Sequence, residues 1–317
     1  MAALVVPAAS EGRTVHADWL ELRAIEADDG NSSIQDLIQA IRRTGTIEAI
    51  AEDDEDGDPQ DSRSERIQAV AEDAFSEIED RHASCGGHRG TYPFRLRPQY
   101  IELRVEKPRD SLYLFLLLLS QFGKDAGPKG ADASRLFELV SMDAAAAYFG
   151  GSQSGVESYH FGAPRRSTPR KFVDALDEMC RRMGEGKGCR ADRHNLSDQK
   201  DAKLDLTVWR PFRDDHPGKL IGFGQCATGG DWKDKLTDLH PEAFCGMWML
   251  DTPVVNPVRL FFIPFRVERR QWMDFARRGG IIFDRCRIAG YARQVNRDLM
   301  RECAVWSSYV LKEKVER

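Results

Sequence analysis

The chain has 317 residues, of which 41% are hydrophobic and 31% charged, with a formal net charge of −5 at pH 7. This composition is ordinary for a globular protein, and the length allows two domains. The longest apolar run, residues 112–119, is far shorter than the ~20 residues that cross a bilayer. It therefore predicts a buried helix and no membrane partner. The N-terminus has no basic flank before its apolar stretch, which argues against a signal peptide.

The seven cysteines are scattered along the chain and form no CxxC pair. An odd, dispersed set argues against a disulfide framework and against a structural zinc site, and it favours a reducing cytoplasm. His82, Cys85 and His88 have a spacing that could hold a metal. A Gly-rich loop of this kind is more often a solvated turn.

The acidic and basic residues are distributed unequally. Residues 1–160 contain 16 Lys+Arg and 29 Asp+Glu, whereas residues 161–317 contain 30 and 22. We expect residues 1–155 to form a mainly helical acidic region that docks a partner protein, such as an ATPase or a sensor, without supplying a catalytic side chain. The basic half is compatible with a polyanionic partner.

The C-terminal region, residues 156–317, alternates helix and strand patterns. A helix opened by Thr168-Pro169 ends at Gly184, and a turn of sequence RDDHPG follows between two strand patterns. The predicted elements after that helix are strands 203–212 and 219–227, a short helix 231–239, strand 258–267, helix 270–278, strand 280–285 and a last helix from about 291. This order predicts an α/β fold with a mixed sheet flanked by helices, preceded by a mainly helical N-terminal region.

The hairpin formed by the first two strands carries the candidate site. If its turn lies near residue 215, Asp205 faces Gln225, with Thr207 facing Phe223 and Trp209 facing Ile221. A carboxylate and an amide oxygen on one face of a sheet can bind one hard cation. The alternative is that Asp205 is an exposed polar residue on a half-buried strand.

The residues KLDLTVW, with Asp205, and LIGFGQCATG, with Gln225, resemble the PD-(D/E)xK restriction-endonuclease-like nucleases in their Gln variant. The resemblance covers residues 165–290. It implies a restriction-endonuclease-like fold, Mg²⁺ or Mn²⁺ held by Asp205 and Gln225, and cleavage of nucleic acid, most simply DNA. It also suggests a role in prokaryotic antiviral defence.

One position departs from the family pattern. The pattern places a lysine two residues after Gln225, where this chain has Ala227. Lys235 is the preferred replacement and Lys233 the alternative, although both also fit a solvated surface. Family members often add an acid from a preceding helix, and here Glu185 is the candidate, with Glu178 behind it in sequence.

The resemblance thus implies a metal-dependent endonuclease in which Asp205, Gln225, Lys235 and Glu185 form the catalytic site. Six basic residues of the same half are candidate phosphate contacts, namely Arg165, Arg166, Arg170, Lys171, Arg181 and Arg182. A first alternative is a non-catalytic nucleic-acid-binding or scaffold subunit that has lost the lysine. A second alternative is a cysteine hydrolase with Cys226 as nucleophile and His240 as its base.

Overall fold

The computed structural model describes residues 4–44, 59–87, 90–104, 106–165, 168–190, 200–292 and 295–315. The chain divides into two compact units. Unit 1 comprises Met1–Leu118 with Ala304–Arg317, and unit 2 comprises Leu119–Cys303. The boundary predicted near residue 155 does not coincide with this division. Residues 119–155 belong to unit 2 because their main helix packs on the sheet of that unit.

Helices dominate the N-terminal part of the chain, as predicted. They are α1 (Arg13–Glu26), α2 (Ile34–Thr44), α3 (Pro59–Ser84) and α4 (Leu112–Phe122). Asp36 accepts hydrogen bonds from the main-chain N–H and the hydroxyl of Ser33, which fixes the start of α2. The sequence pattern missed α1 and also a small antiparallel sheet of β1 (Asn31–Ser33), β2 (Phe94–Leu96) and β3 (Tyr100–Leu103), in the order β1-β3-β2.

A buried charge network ties α1 to α3 within unit 1. The Arg81 guanidinium is fully buried and lies 2.7 Å from Asp18 Oδ1, 2.9 Å from Glu21 Oε2 and 3.1 Å from Glu77 Oε1. Two tyrosine hydroxyls, from Tyr92 and Tyr113, donate to Glu21 Oε1. Buried charges are tolerated only when they are paired in this way, so the network fixes how the two helices pack.

Unit 2 is built on a five-stranded mixed sheet in the order β4-β5-β6-β7-β8. The strands are β4 (Glu157–His160), β5 (Leu206–Arg210), β6 (Leu220–Cys226), β7 (Val258–Phe262) and β8 (Ile281–Phe283). β5 runs antiparallel to both of its neighbours, while β6, β7 and β8 are parallel. The C-terminal ends of β4, β6, β7 and β8 and the start of β5 therefore lie at one edge, called here the carboxyl edge.

Helices cover both faces of this sheet. On one face lies α5 (Ala133–Tyr148), which packs against β4, β5 and β6. The opposite face is covered by α6 (Phe172–Met183), α7 (Pro241–Trp248) and α8 (Trp272–Gly279), whose apolar side chains join two buried clusters. The chain continues through α9 (Arg285–Tyr291) and α10 (Arg297–Val310). The predicted α/β class, with a mixed sheet between helices, is confirmed.

The predicted hairpin register is also confirmed. Thr207 pairs with Phe223 and Trp209 pairs with Ile221, as the predicted register required. Odd-numbered side chains of β5 face α6, as the contact between Thr207 Oγ1 and Met179 Sδ at 3.1 Å shows. The strands are shorter than predicted at their ends. In particular, β7 stops at Phe262, before Pro264, which cannot donate to a ladder. In the described residues, no helix is both long and apolar enough to cross a membrane.

Candidate active site at the carboxyl edge

Asp205 lies at the carboxyl edge, one residue before the β5–β6 ladder begins at Leu206. Its main-chain oxygen accepts hydrogen bonds from Phe161 N at 2.8 Å and Gly162 N at 2.7 Å. Its Oδ2 accepts from Cys226 N at 2.7 Å. The backbone of Asp205 is therefore held by the residues that follow β4. Its carboxylate is held by Cys226, the last residue of β6.

The second acid at this place is Glu138, from the middle of α5. Its Oε2 lies 2.6 Å from His160 Nε2, at the end of β4. A Cβ atom on Gly162 would fall well inside van der Waals distance of the same oxygen. Glu138 belongs to the acidic region that was expected to supply no catalytic side chain. The structure instead brings it to the sheet of unit 2, because α5 packs there.

The two carboxylates influence each other electrostatically. Burial, together with the neighbouring Glu138 charge, raises the pKa of Asp205 well above its usual range, although the Cys226 N–H opposes this shift. Burial, with Asp132 and Asp201 nearby, raises the pKa of Glu138 to about 8. Such shifts mean that two negative charges are unfavourable here without a nearby cation.

His160 is neutral at physiological pH in this environment. Burial, followed by the charges of Arg135 and Arg165, lowers the pKa of His160 to about 4. The imidazole therefore hydrogen bonds to Glu138 without supplying the positive charge that the carboxylates lack. Lys203 is a nearby cation and its charge acts to lower the pKa of Asp205, but its side chain is largely exposed and pairs with Asp238 at 3.6 Å.

Gln225 does not converge with Asp205 as the sequence suggested. Its neighbours on the same face, Phe223 and Phe261, belong to the apolar clusters under α7 and α8. Alternation along β6 places Cys226 on the other face, toward α5. Gln225 is buried, and its Oε1 has no hydrogen-bond partner among the described residues. The β5–β6 ladder ends before Asp205, so the facing pair that the register implied is not formed.

Glu185 lies at the opposite end of the hairpin from Asp205. Its Oε1 accepts from Gly218 N at 2.9 Å and Lys219 N at 3.3 Å, and its Oε2 accepts from Val254 N at 2.8 Å. Five residues of strand separate the two ends, about 15 Å at the rise of an extended chain. Glu185 thus holds the hairpin turn, because three main-chain N–H groups there need an acceptor, and the acid that the structure brings near Asp205 is Glu138. Glu178 lies on α6, across the sheet from Glu138.

The predicted lysines are engaged at the surface. Lys235 Nζ forms an ion pair with Asp231 Oδ1 at 3.0 Å, and both side chains are exposed to solvent. Lys233 Nζ lies over the rings of Trp232 and Phe275, 5.8 and 5.7 Å from their centroids. Ala227, at the family's lysine position, is buried. The structure therefore shows no contact of these lysines with Asp205 among the described residues.

The chemistry of the acid pair suits a hard divalent cation. Mg²⁺ is commonly held by one or two carboxylates while it keeps several waters, so Asp205 and Glu138 satisfy its minimum protein ligand set. Within the described ranges, no group of three or more His, Cys, Asp or Glu side chains forms a metal cage. His88 of the predicted H-x-x-C-x-x-H cluster lies outside the described residues, and Cys85 is buried.

The arrangement around Cys226 does not favour a nucleophile. Burial, together with the charges of Asp205 and Glu138, raises the pKa of the Cys226 thiol well above its ordinary value. A catalytic thiol requires the opposite shift. The suggested base, His240, begins α7 on the opposite face of the sheet from Cys226.

Of the predicted phosphate contacts, Arg165 is buried and bonds to the main-chain oxygens of Arg170 (3.1 Å) and Lys200 (2.5 Å). It joins two segments of chain near the site. Arg166 lies outside the described residues. The remaining four candidates lie at the surface, namely Arg170, Lys171, Arg181 and Arg182. Two further arginines, Arg269 and Arg270, are exposed in the segment that follows β7 at the carboxyl edge.

Sequence reasoning missed Glu138 and His160. Glu138 gave no sequence signal, since it lies on a different side of α5 from the buried Leu136, Phe137 and Val140. His160 ends a short strand that was not predicted. No protein-family model, no curated protein and no solved structure matches this chain.

Proposed function

We propose that unit 2 is a metal-dependent phosphodiesterase that cleaves nucleic acid, most simply DNA, with Mg²⁺ or Mn²⁺. The observation that carries this proposal is the proximity of two partly buried carboxylates, Asp205 and Glu138, at the carboxyl edge of a mixed sheet. Both have raised pKa values, and a divalent cation would relieve their repulsion. Ligands of α/β sheets bind at this edge, where strand ends leave a crevice.

The order of elements supports the same proposal. The helix α5, which carries an acid, is followed by β4 and α6, then by the hairpin β5–β6 with Asp205 at its start, and then by α7 and the parallel strand β7. This is the order expected for the nuclease resemblance, with Glu138 as the helical acid. A role in the cytoplasm of a prokaryote, in defence against viruses, is the setting that the resemblance suggests.

The residues of the chain would divide the work as follows. Asp205 and Glu138 would hold the cation, which when bound would supply a water nucleophile at neutral pH and charge stabilisation for the phosphate. His160 would hold the Glu138 carboxylate. The exposed side chains of Arg269 and Arg270 at the carboxyl edge would contact substrate phosphates. Such contacts do not distinguish one nucleic-acid sequence from another.

The test is a cleavage assay with the full-length protein on plasmid DNA, single-stranded DNA and RNA, in Mg²⁺, in Mn²⁺ and in EDTA. We expect cleavage that needs the metal and that is lost in Glu138→Gln. The matched control is Glu242→Gln, which changes an exposed acid at the start of α7. Equal cleavage by Glu138→Gln and wild type would show that the acid pair is not the active site.

A specific observation favours a second candidate, a nucleic-acid-binding or scaffold subunit without cleavage. Ala227 replaces the family's lysine and is buried, while Lys235 is paired with Asp231. Without a cation near the reacting phosphate, the developing charge lacks one of its usual stabilising groups. Retention of nucleic-acid binding with no cleavage by any divalent metal would support this candidate.

A further inference from the structure

His160, the last residue of β4, and the two residues that follow it contact both acids of the proposed site. The main-chain N–H groups of Phe161 and Gly162 donate to Asp205 O, and the His160 ring lies 2.6 Å from Glu138 Oε2. The segment is sequence-adjacent to neither acid: Glu138 precedes it in α5 and Asp205 follows it across α6. One short piece of chain therefore contacts both the backbone of Asp205 and the carboxylate of Glu138.

Gly162 has a separate role in this arrangement. Its Cα faces Glu138 so closely that an added Cβ would overlap both Oε2 and Cδ of that side chain. Gly162 is not among the glycines with a positive φ angle, so backbone conformation does not explain the residue. The missing side chain is what allows the Glu138 carboxylate to occupy its position beside the end of β4.

We propose that His160 and Gly162 are positioning residues of the active site: His160 orients the Glu138 carboxylate through its Nε2 atom, and Gly162 leaves the space that this carboxylate occupies. The inference rests on the proposed function, since it concerns how a divalent cation is held. Residues that hydrogen bond to a metal ligand fix its orientation, and their loss typically weakens metal affinity by about 10–100-fold.

The two residues act on the same oxygen from different directions. His160 is buried, so its ring has little freedom to leave Glu138. Thr168 Oγ1 donates to His160 O at 3.1 Å and helps to hold the backbone at this point. A carboxylate that is held by a hydrogen bond loses little conformational freedom when it binds a cation. An unfixed one would lose more, and its affinity would be lower.

The test is calorimetric titration of Mn²⁺ into the full-length protein and four variants. We expect Gly162→Ala and His160→Ala to weaken Mn²⁺ binding by about 10–100-fold. His160→Gln should retain most of the affinity, because the Gln amide nitrogen can reach the place of Nε2 and donate to Glu138. Gly246→Ala is the control: Gly246 lies in α7 with open space around it, and this variant should bind like wild type.

The outcomes separate this inference from the proposed function. If wild type binds no Mn²⁺, the proposed function fails, and the inference fails with it. If wild type binds and Gly162→Ala and His160→Ala bind equally well, the inference alone is overturned. If Gly162→Ala does not fold, the comparison of His160→Gln with His160→Ala decides. Equal losses in those two variants would mean that His160 serves packing and does not orient Glu138.

Discussion

Replacing Glu138 by Gln should make the metal-free protein more stable at neutral pH, although the change alters a buried side chain. The pKa of Glu138 is raised to about 8 in the folded protein from an ordinary value of 4.5. Below pH 4.5 the Glu138 carboxyl is protonated in both the folded and the unfolded protein, so it does not lower the free energy of unfolding there. Between these two values the unfolded chain loses the proton first, and stability falls as pH rises.

The magnitude follows from the size of this window. Each pH unit inside it removes about 1.4 kcal/mol from the free energy of unfolding, which gives about 3 kcal/mol at pH 7. The neutral amide of Gln does not titrate, so it adds no pH dependence to the free energy of unfolding. We therefore expect the stability of Glu138→Gln to exceed that of wild type by about 3 kcal/mol at pH 7 and by almost nothing near pH 4.5.

Urea unfolding of both proteins in EDTA, at several values between pH 5 and pH 8, measures this difference. The stability gap should widen steadily with pH. Addition of Mg²⁺ at pH 7 should narrow it, since a cation that binds only the folded wild type stabilises that form. A gap that stays constant over the whole pH range, or a variant that is less stable than wild type at pH 8, would refute the reasoning.

Three other substitutions or reactions test separate parts of the structure. Glu185→Ala should lower the free energy of unfolding by about 3 kcal/mol, since three main-chain N–H groups lose their acceptor. Its Mn²⁺ affinity, measured by calorimetry, should not change. Arg81→Met should cost about 3–5 kcal/mol in urea unfolding, because it removes the buried guanidinium that pairs with Asp18, Glu21 and Glu77. Cys226 should react far more slowly with iodoacetamide at pH 7.5 than a free thiol does, since its raised pKa leaves little thiolate. Rapid alkylation in mass spectrometry would contradict that expectation.

The register of the β5–β6 hairpin was predictable because its determinants are local. A polar turn of known residue types lies between two runs that alternate or are continuously apolar. A slip of one residue would have placed Trp209 and Phe223 on opposite faces of the sheet, so only one register brings both into the same buried cluster.

The acid beside Asp205 was not predictable in the same way. Glu185 was chosen because it ends the helix nearest to the hairpin in sequence. Glu138 reaches the site because α5 packs across the sheet, and a contact of that range leaves no local trace.

The division of the chain was misjudged for a related reason. Charge changes sign near residue 160, and this shift was read as a boundary between regions. Surface charge reports on solvent-facing residues, whereas units are defined by what packs together. The apolar face of α5, with Leu136, Phe137 and Val140 buried, packs with unit 2 although the helix lies in the acidic half.

The central claim is that Asp205 and Glu138 together hold the divalent cation that cleavage requires. Calorimetric titration of Mn²⁺ into wild type and Asp205→Asn at pH 7.5 tests it most directly, with Asp234→Asn as a control at an exposed acid. The account predicts binding to one site in wild type and in Asp234→Asn, and no measurable binding in Asp205→Asn. Equal binding by wild type and Asp205→Asn, or no binding by wild type at millimolar Mn²⁺, would contradict it.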